Sequence, residues 1–250
     1  MSFSSCCIKT FTWGGTPTGI EAKLAHNDCY LAGDNKDAAI LLVHDIFGWK
    51  YPNVRLLADH FAREVNATVY VPDFFGGWVV DWRAVEDDRW SEIDLDRVAR
   101  NQSREIRGPE IVACARAIKS KLGFKHLGAV GYCYGGWAVC HLASKARETP
   151  LVDAISMVHP SWLVNEDIDN IAAPFQVLAP ENDPSYTPEL KIYTFQTALK
   201  LKLPFDYQHF PGVVHGALVR GDERHEGERE AMGKAKNAVV AWLIQYLHLH

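Results

Sequence analysis

Four side chains in this sequence have the types, and follow the kinds of segment, that acyl-transfer chemistry requires: Cys133, Asp183, His215 and Asp45. Cys133 is the centre of Gly131-Tyr132-Cys133-Tyr134-Gly135-Gly136, which follows the apolar run Leu127-Gly128-Ala129-Val130 and opens into Trp137–Ala143, a helical pattern. A strand, a tight turn and a helix, with glycines two residues to either side of a nucleophile, is the layout of a nucleophile elbow. The turn pushes the central side chain outward, and the small neighbours let the helix and adjacent strands come close. A cysteine at a helix N-terminus also feels the positive end of the macrodipole, which favours thiolate. Alone, the hexapeptide suits a buried structural cysteine equally well, so the functional reading depends on partners elsewhere.

Such a nucleophile needs a base to take its proton and return it to the leaving group, and an acid to orient that base. His215, in Pro211-Gly212-Val213-Val214-His215-Gly216, suits the base, and Asp183, in Pro180-Glu181-Asn182-Asp183-Pro184, suits the acid. Nucleophile, acid and histidine in that chain order is the arrangement of the α/β-hydrolases. Glu181 competes with Asp183; Asp183 is preferred because it lies farther past its strand, in a turn sequence. Among 11 histidines, His209 falls inside a strand pattern and His159 precedes a proline, whereas His215 comes late, before the last helix, with Gly216 beside it.

Each candidate follows a strand pattern, which places it at the carboxyl edge where open α/β sheets build their sites. Residues 8–38 read as short antiparallel strands with turn signals at Gly14-Gly15, Pro17-Thr18-Gly19 and Gly33-Asp34-Asn35. Residues 39–44 form an apolar strand run that ends at Asp45, and residues 52–64 carry a helical stripe. Further strands are expected at 68–71, 126–130, 153–159, 174–179 and 205–210, and helices at 109–122, from Thr187 onward and at 227–247. This alternation predicts an α/β fold with a mainly parallel central sheet and helices on both faces. No repeat or linker divides the chain, so residues 1–250 are expected to form one domain. The stretch Phe74–Asp88 breaks the rhythm with Gly76-Gly77, Trp78 and Trp82, Trp90 follows soon after, and arginines run from Arg83 to Arg107. It is read as a lid or pocket wall over the sheet edge rather than as a solvated helix pair. Trp49, Trp78 and Trp82 are then expected to contact a flat substrate.

The formal charge of −5, with no basic run, argues against nucleic acid or an anionic membrane as partner. No run of ~18 apolar residues suits a membrane span. The first residues lack a basic stretch followed by an apolar one, so a cytoplasmic location is expected. The six cysteines are scattered and without a C-x-x-C pair; they are expected as thiols, with Cys114 and Cys140 in the core. No His and Cys stand at zinc-ligand spacing. There is no coiled-coil seam, and a monomer or homodimer is expected.

The whole chain resembles the dienelactone hydrolases (carboxymethylenebutenolidases), particularly their eukaryotic and fungal branch. The resemblance rests on Gly14-Gly15-Thr16-Pro17-Thr18-Gly19, His44-Asp45-Ile46-Phe47-Gly48-Trp49, Val71-Pro72-Asp73-Phe74-Phe75, the elbow hexapeptide, Asn182-Asp183, and His215-Gly216 with Arg220-Gly221-Asp222 behind it. It implies an α/β-hydrolase fold without a large cap, a Cys133-Asp183-His215 triad, and an oxyanion hole from the backbone N–H groups of Ile46 and Tyr134. It further implies a small-molecule lactone or ester as substrate, anionic or aromatic, and no metal or organic cofactor. Bacterial members carry a glutamate where Asp45 stands, pairing with the resting thiol, so Asp45 is expected to modulate Cys133. Arg220 is the expected holder of a substrate carboxylate. The alternatives are a thioesterase or acyl transferase with the same triad, and a non-catalytic binding protein of the same fold.

Overall fold

In the computed structural model, the described residues are 10–87, 89, 92–146 and 149–249; Cys6, Cys7 and Trp90 lie outside them. Eight strands form one sheet in the order β1-β2-β4-β3-β5-β6-β7-β8. β1 (Ile20–Leu24) and β2 (Asn27–Ala32) are the antiparallel edge hairpin, and β2 also runs antiparallel to β4 (Thr68–Pro72). The remaining pairs are parallel: β3 (Ala38–Val43), β5 (His126–Tyr132), β6 (Ala154–Val158), β7 (Phe175–Asn182) and β8 (Phe205–Val214). β3, β4 and β6 are buried at every position, as expected of strands covered on both faces.

The covering helices fall into two groups. α1 (Pro52–Val65), the short α8 (Ala217–Arg220) and the long α9 (Glu228–Leu247) pack together on one side. α4 (Arg104–Arg116), α5 (Gly135–Leu142), α6 (Asn165–Asp169) and α7 (Pro188–Leu201) form a continuous series on the other. Two short helices, α2 (Trp82–Glu86) and α3 (Leu95–Asn101), occupy the link between β4 and α4. This is the α/β-hydrolase architecture without a large cap. Among the described residues no helix is long and apolar enough to cross a membrane.

Three boundaries differ from the sequence reading. The helix expected at 109–122 begins at Arg104 behind Ser103, carries Pro109 inside it, and continues as a π-helical turn over Ala117–Lys121. Proline suits a first helical turn so well that it masqueraded as a start here. β7 runs on to Asn182, and β8 runs to Val214. Both extensions follow from a bulge: Pro180 pairs with Phe210 but Asn182 with Val214, so β8 holds two extra residues. Gly212 takes a left-handed φ of 72° within it, and its N–H donates to Glu181 Oε2 at 2.6 Å.

Candidate active site

The parallel register decides which groups meet. Asn182 lies opposite Val214, so the next residues, Asp183 and His215, leave the sheet side by side. His215 N–H donates to the Asn182 carbonyl at 3.1 Å and fixes that exit. Tyr132 lies opposite Val158, so Cys133 emerges next to the loop that follows β6. Val43 lies opposite Gly131, which brings His44, Asp45 and Ile46 to the other side of Cys133.

Cys133 has φ = 49°, in the left-handed region that costs a non-glycine residue ~1–3 kcal/mol. Its backbone is held there at both ends: its N–H donates to the Val158 carbonyl at 3.1 Å, and its carbonyl accepts from Ser161 N–H at 2.8 Å and Gly136 N–H at 2.9 Å. The glycines are required by close approach. A Cβ on Gly131 would lie 2.2 Å from the Gly135 carbonyl oxygen, and one on Gly135 would lie 2.4 Å from that of Val43. Helix α5 starts two residues after the sulfur, so the positive end of its dipole faces the thiol.

Cys133, His215 and Asp183 come together as a continuous hydrogen-bonded run. His215 Nε2 lies 3.1 Å from Cys133 Sγ, and His215 Nδ1 lies 2.8 Å from Asp183 Oδ2. The other Asp183 oxygen accepts from Ser185 N–H at 2.8 Å and Tyr186 N–H at 3.0 Å, which locks the carboxylate plane. Because a carboxylate only accepts, Asp183 holds the proton on Nδ1 and leaves Nε2 to face the sulfur. Glu181, the competing acid, is exposed and spends its carboxylate on the β8 bulge. Cys133 and His215 have no solvent exposure.

Asp45 is buried and splits its carboxylate. Oδ1 accepts from Phe47 N–H at 2.9 Å, shaping the turn that carries Ile46, and Oδ2 accepts from Arg220 Nη1. Arg220 is itself buried, with its guanidinium 4.8 Å from the centre of the Phe47 ring. Gly216 makes room for it, since a Cβ there would meet Arg220 Nη2 at 2.4 Å. His44 anchors the same turn from below: Nδ1 donates to the Asp45 carbonyl at 2.7 Å and Nε2 accepts from Phe74 N–H at 3.2 Å. Those two partners fix the neutral tautomer, and burial lowers the His44 pKa. Within the described residues, no hydrogen bond takes up the N–H of Ile46 or of Tyr134. Ile46 lies in the turn after β3, and Tyr134 directly follows Cys133.

The Phe74 segment packs directly against this turn. Val80 N–H donates to the Ile46 carbonyl at 3.2 Å, and the Phe75 ring meets Tyr134 edge-on at 5.0 Å. Trp82 packs edge-on against Tyr51 at 5.5 Å, Trp78 carries the Arg97 guanidinium at 5.6 Å, and Trp49 is buried with the Arg55 guanidinium 4.8 Å from its ring centre. The aromatic segment is thus a wall joined to the Asp45–Phe47 turn. Asp73, from the Val71–Phe75 stretch, builds it by accepting from Phe75 and Gly77 N–H. Sequence reasoning missed Ser161, whose Oγ shares a hydrogen bond with Cys133 Sγ at 3.4 Å, and passed over His159, whose ring lies edge-on to His215 at 5.0 Å. Their only sequence signal was their place at the end of a strand.

The dienelactone hydrolase family model matches residues 28–247. The carboxymethylenebutenolidase homolog of Mus musculus is 31% identical over 234 residues, covering 92% of this chain and 91% of that protein. Hydrolase tropI of Talaromyces stipitatus is 27% identical over 250 residues, covering 97% of this chain and 96% of that protein. Among solved structures, a putative dienelactone hydrolase from Klebsiella pneumoniae superposes with a TM-score of 0.71 at 15% identity, covering 92% of this chain and 99% of that one. The match runs from β2 through α9 and takes in every strand-end residue described above: the chain belongs to the dienelactone hydrolase family of carboxylic ester hydrolases.

Proposed function

We propose that this protein opens a small lactone, or cleaves a small ester, through a Cys133 acyl-enzyme served by His215 and Asp183. The observation that carries the reading is the run from Asp183 through His215 to Cys133 at 2.8 and 3.1 Å, with the cysteine held at φ = 49°. His215 Nε2 takes the thiol proton as Sγ attacks the acyl carbon. The carbonyl oxygen becomes an oxyanion between the N–H groups of Ile46 and Tyr134, each such donor being worth ~3 kcal/mol in the barrier. Collapse breaks the acyl C–O bond, and His215 returns its proton to the departing alkoxide, which in a lactone stays tethered to the acyl group. Water then attacks the thioester, gives its proton to His215, and the thiol is restored. The intact trio supports catalysis over simple binding, since a binding protein needs neither the strained cysteine nor the oriented imidazole.

The pairing of Asp45 with Arg220 supports an anionic substrate: its carboxylate would compete for Arg220 and release Asp45. Trp78 and Trp82 would offer flat apolar surface to a conjugated acyl group, whereas Trp49 is buried under the Arg55 guanidinium. Turnover of a panel of lactones and aryl esters, with and without a carboxylate, tests the reading. Cys133→Ala and His215→Ala should each lower turnover by ~10³-fold or more, and a trapped thioester should add the acyl mass at Cys133. Unchanged turnover in either variant overturns the mechanism. Recovery of the free acid identifies water as the acceptor, and recovery of a new ester or thioester identifies an acyl transferase.

A further inference from the structure

Among the described residues, six that are not glycine have a left-handed φ: Ala25, Asn66, Cys133, His159, Trp162 and Lys202. Three have ordinary explanations. Asn66 and Lys202 end α1 and α7 as left-handed caps, and Ala25 sits in the β1–β2 turn. The other three converge on one place. Cys133 is the elbow residue, and His159 and Trp162, with φ of 37° and 62°, bracket the tetrapeptide His159-Pro160-Ser161-Trp162 after β6. A bulky residue holds such a conformation only where surrounding contacts demand it.

Several contacts of this tetrapeptide bring it against the elbow and His215. Ser161 N–H donates to the Cys133 carbonyl at 2.8 Å, Pro160 lies against Gly136 of the elbow, and the His159 ring lies edge-on to His215. Arg104, itself paired with Asp167 at 2.7 Å, donates to the Trp162 carbonyl and anchors the far end. Between these anchors stands the Ser161 hydroxyl, buried and 3.4 Å from Cys133 Sγ. His215 approaches the same sulfur at 3.1 Å.

We infer that Ser161 is a thiolate donor: a second hydrogen-bonding group, beside His215, that stabilises the ionised sulfur of Cys133. The inference rests on the cysteine mechanism proposed above. At rest the thiol proton can point at either neighbour. When the S–H bond breaks and the proton moves to His215 Nε2, Ser161 keeps its own proton and turns it toward the sulfur. Two donors then face the negative charge in a buried site. Once the sulfur has bonded to carbon its charge is gone and the Ser161 contact weakens. Ser161 therefore favours formation of the nucleophile more than any later step, and its loss should appear as a shift in the pH at which Cys133 becomes reactive.

The test is the rate of iodoacetamide alkylation of Cys133 across pH, read by peptide mass in wild type, Ser161→Ala, Ser161→Thr and His215→Ala. Loss of one hydrogen bond to a charged group should move the Ser161→Ala midpoint up by about one pH unit, with alkylation about tenfold slower below it and unchanged on the high-pH plateau. Ser161→Thr, which keeps the hydroxyl, should stay near the wild-type midpoint. Ser161→Gly removes the same group without adding bulk and replaces the alanine variant if that does not fold. An alanine or glycine midpoint within about 0.2 units of wild type overturns the assignment of Ser161 while leaving the triad standing. Equal shifts in alanine and threonine variants also overturn it, because they mark packing rather than the hydroxyl. A midpoint that His215→Ala leaves unmoved removes the cysteine–histidine pair, and Ser161 with it.

Discussion

Gly136→Ala is a one-carbon change whose cost can be worked from the geometry. The new Cβ would lie 2.4 Å from Pro160 Cβ and 2.9 Å from Pro160 Cα. Carbon atoms rest at ~3.5–4.0 Å, so α5 and the loop after β6 must separate by about 1 Å. Neither side gives easily, since one is a helix backbone and the other a proline ring. Such overpacking costs ~1–3 kcal/mol. The separation also stretches the Ser161 N–H bond to the Cys133 carbonyl, now 2.8 Å, beyond hydrogen-bonding length. That adds ~0.5–1.5 kcal/mol. The sum is about 1.5–4.5 kcal/mol, which in a chain of this size lowers Tm by about 3–18 °C. The control is Gly233→Ala, inside α9, where a Cβ meets nothing within 4 Å. It should stabilise by ~0.5–1 kcal/mol through helix propensity alone. Thermal unfolding followed by far-UV circular dichroism at one scan rate reads both variants. A Gly136→Ala melting point equal to wild type, or to that of Gly233→Ala, would refute the claim that Pro160 and the elbow helix are in rigid contact.

Arg220→Met strands the buried Asp45 carboxylate and should cost ~3–5 kcal/mol in urea unfolding, whereas Asp45→Asn combined with Arg220→Met should cost less than that single change; additive losses would refute the pairing. Asp183→Asn should lower kcat by ~10⁴-fold by releasing the imidazole tautomer, while Glu181→Gln, which can still accept from Gly212 N–H, should stay within about twofold of wild type in the same assay. His44 is buried neutral with a lowered pKa, so the unfolded chain takes up its proton first and stability is lost as pH falls below the unfolded value of about 6.5. His44→Gln, neutral throughout, should therefore narrow its stability gap to wild type between pH 7 and pH 5, and a constant gap would show that His44 titrates freely.

The grouping of Cys133, Asp183 and His215 was legible because each of the three follows a strand, and strand ends are what apolar runs and turn residues mark most clearly. The register behind it was not. That Asp183 stands beside His215 depends on a two-residue bulge in β8, which Pro211-Gly212 suggested only as a turn. The same bulge explains the choice between Glu181 and Asp183, because the side chain that pins it cannot also face His215. Ser161 was hidden for a different reason: its role comes from two left-handed residues, His159 and Trp162, whose types give no hint of that conformation. Pro109 misplaced a helix start because the local preference of proline was read without Ser103, the residue from which the helix departs. Arg220 was identified as a functional arginine, but its pairing with Asp45 joins positions 175 residues apart, beyond the reach of any local pattern.

The absence of solvent exposure at Cys133 and His215 has a kinetic consequence. A molecule that reacts with this sulfur must first wait for some of the groups packed around it to move aside. Observed reactivity is then the product of a breathing equilibrium and an intrinsic rate. Thiol reagents of equal chemistry but increasing girth would separate the two factors, and the width at which reaction stops would measure the aperture that a substrate must use.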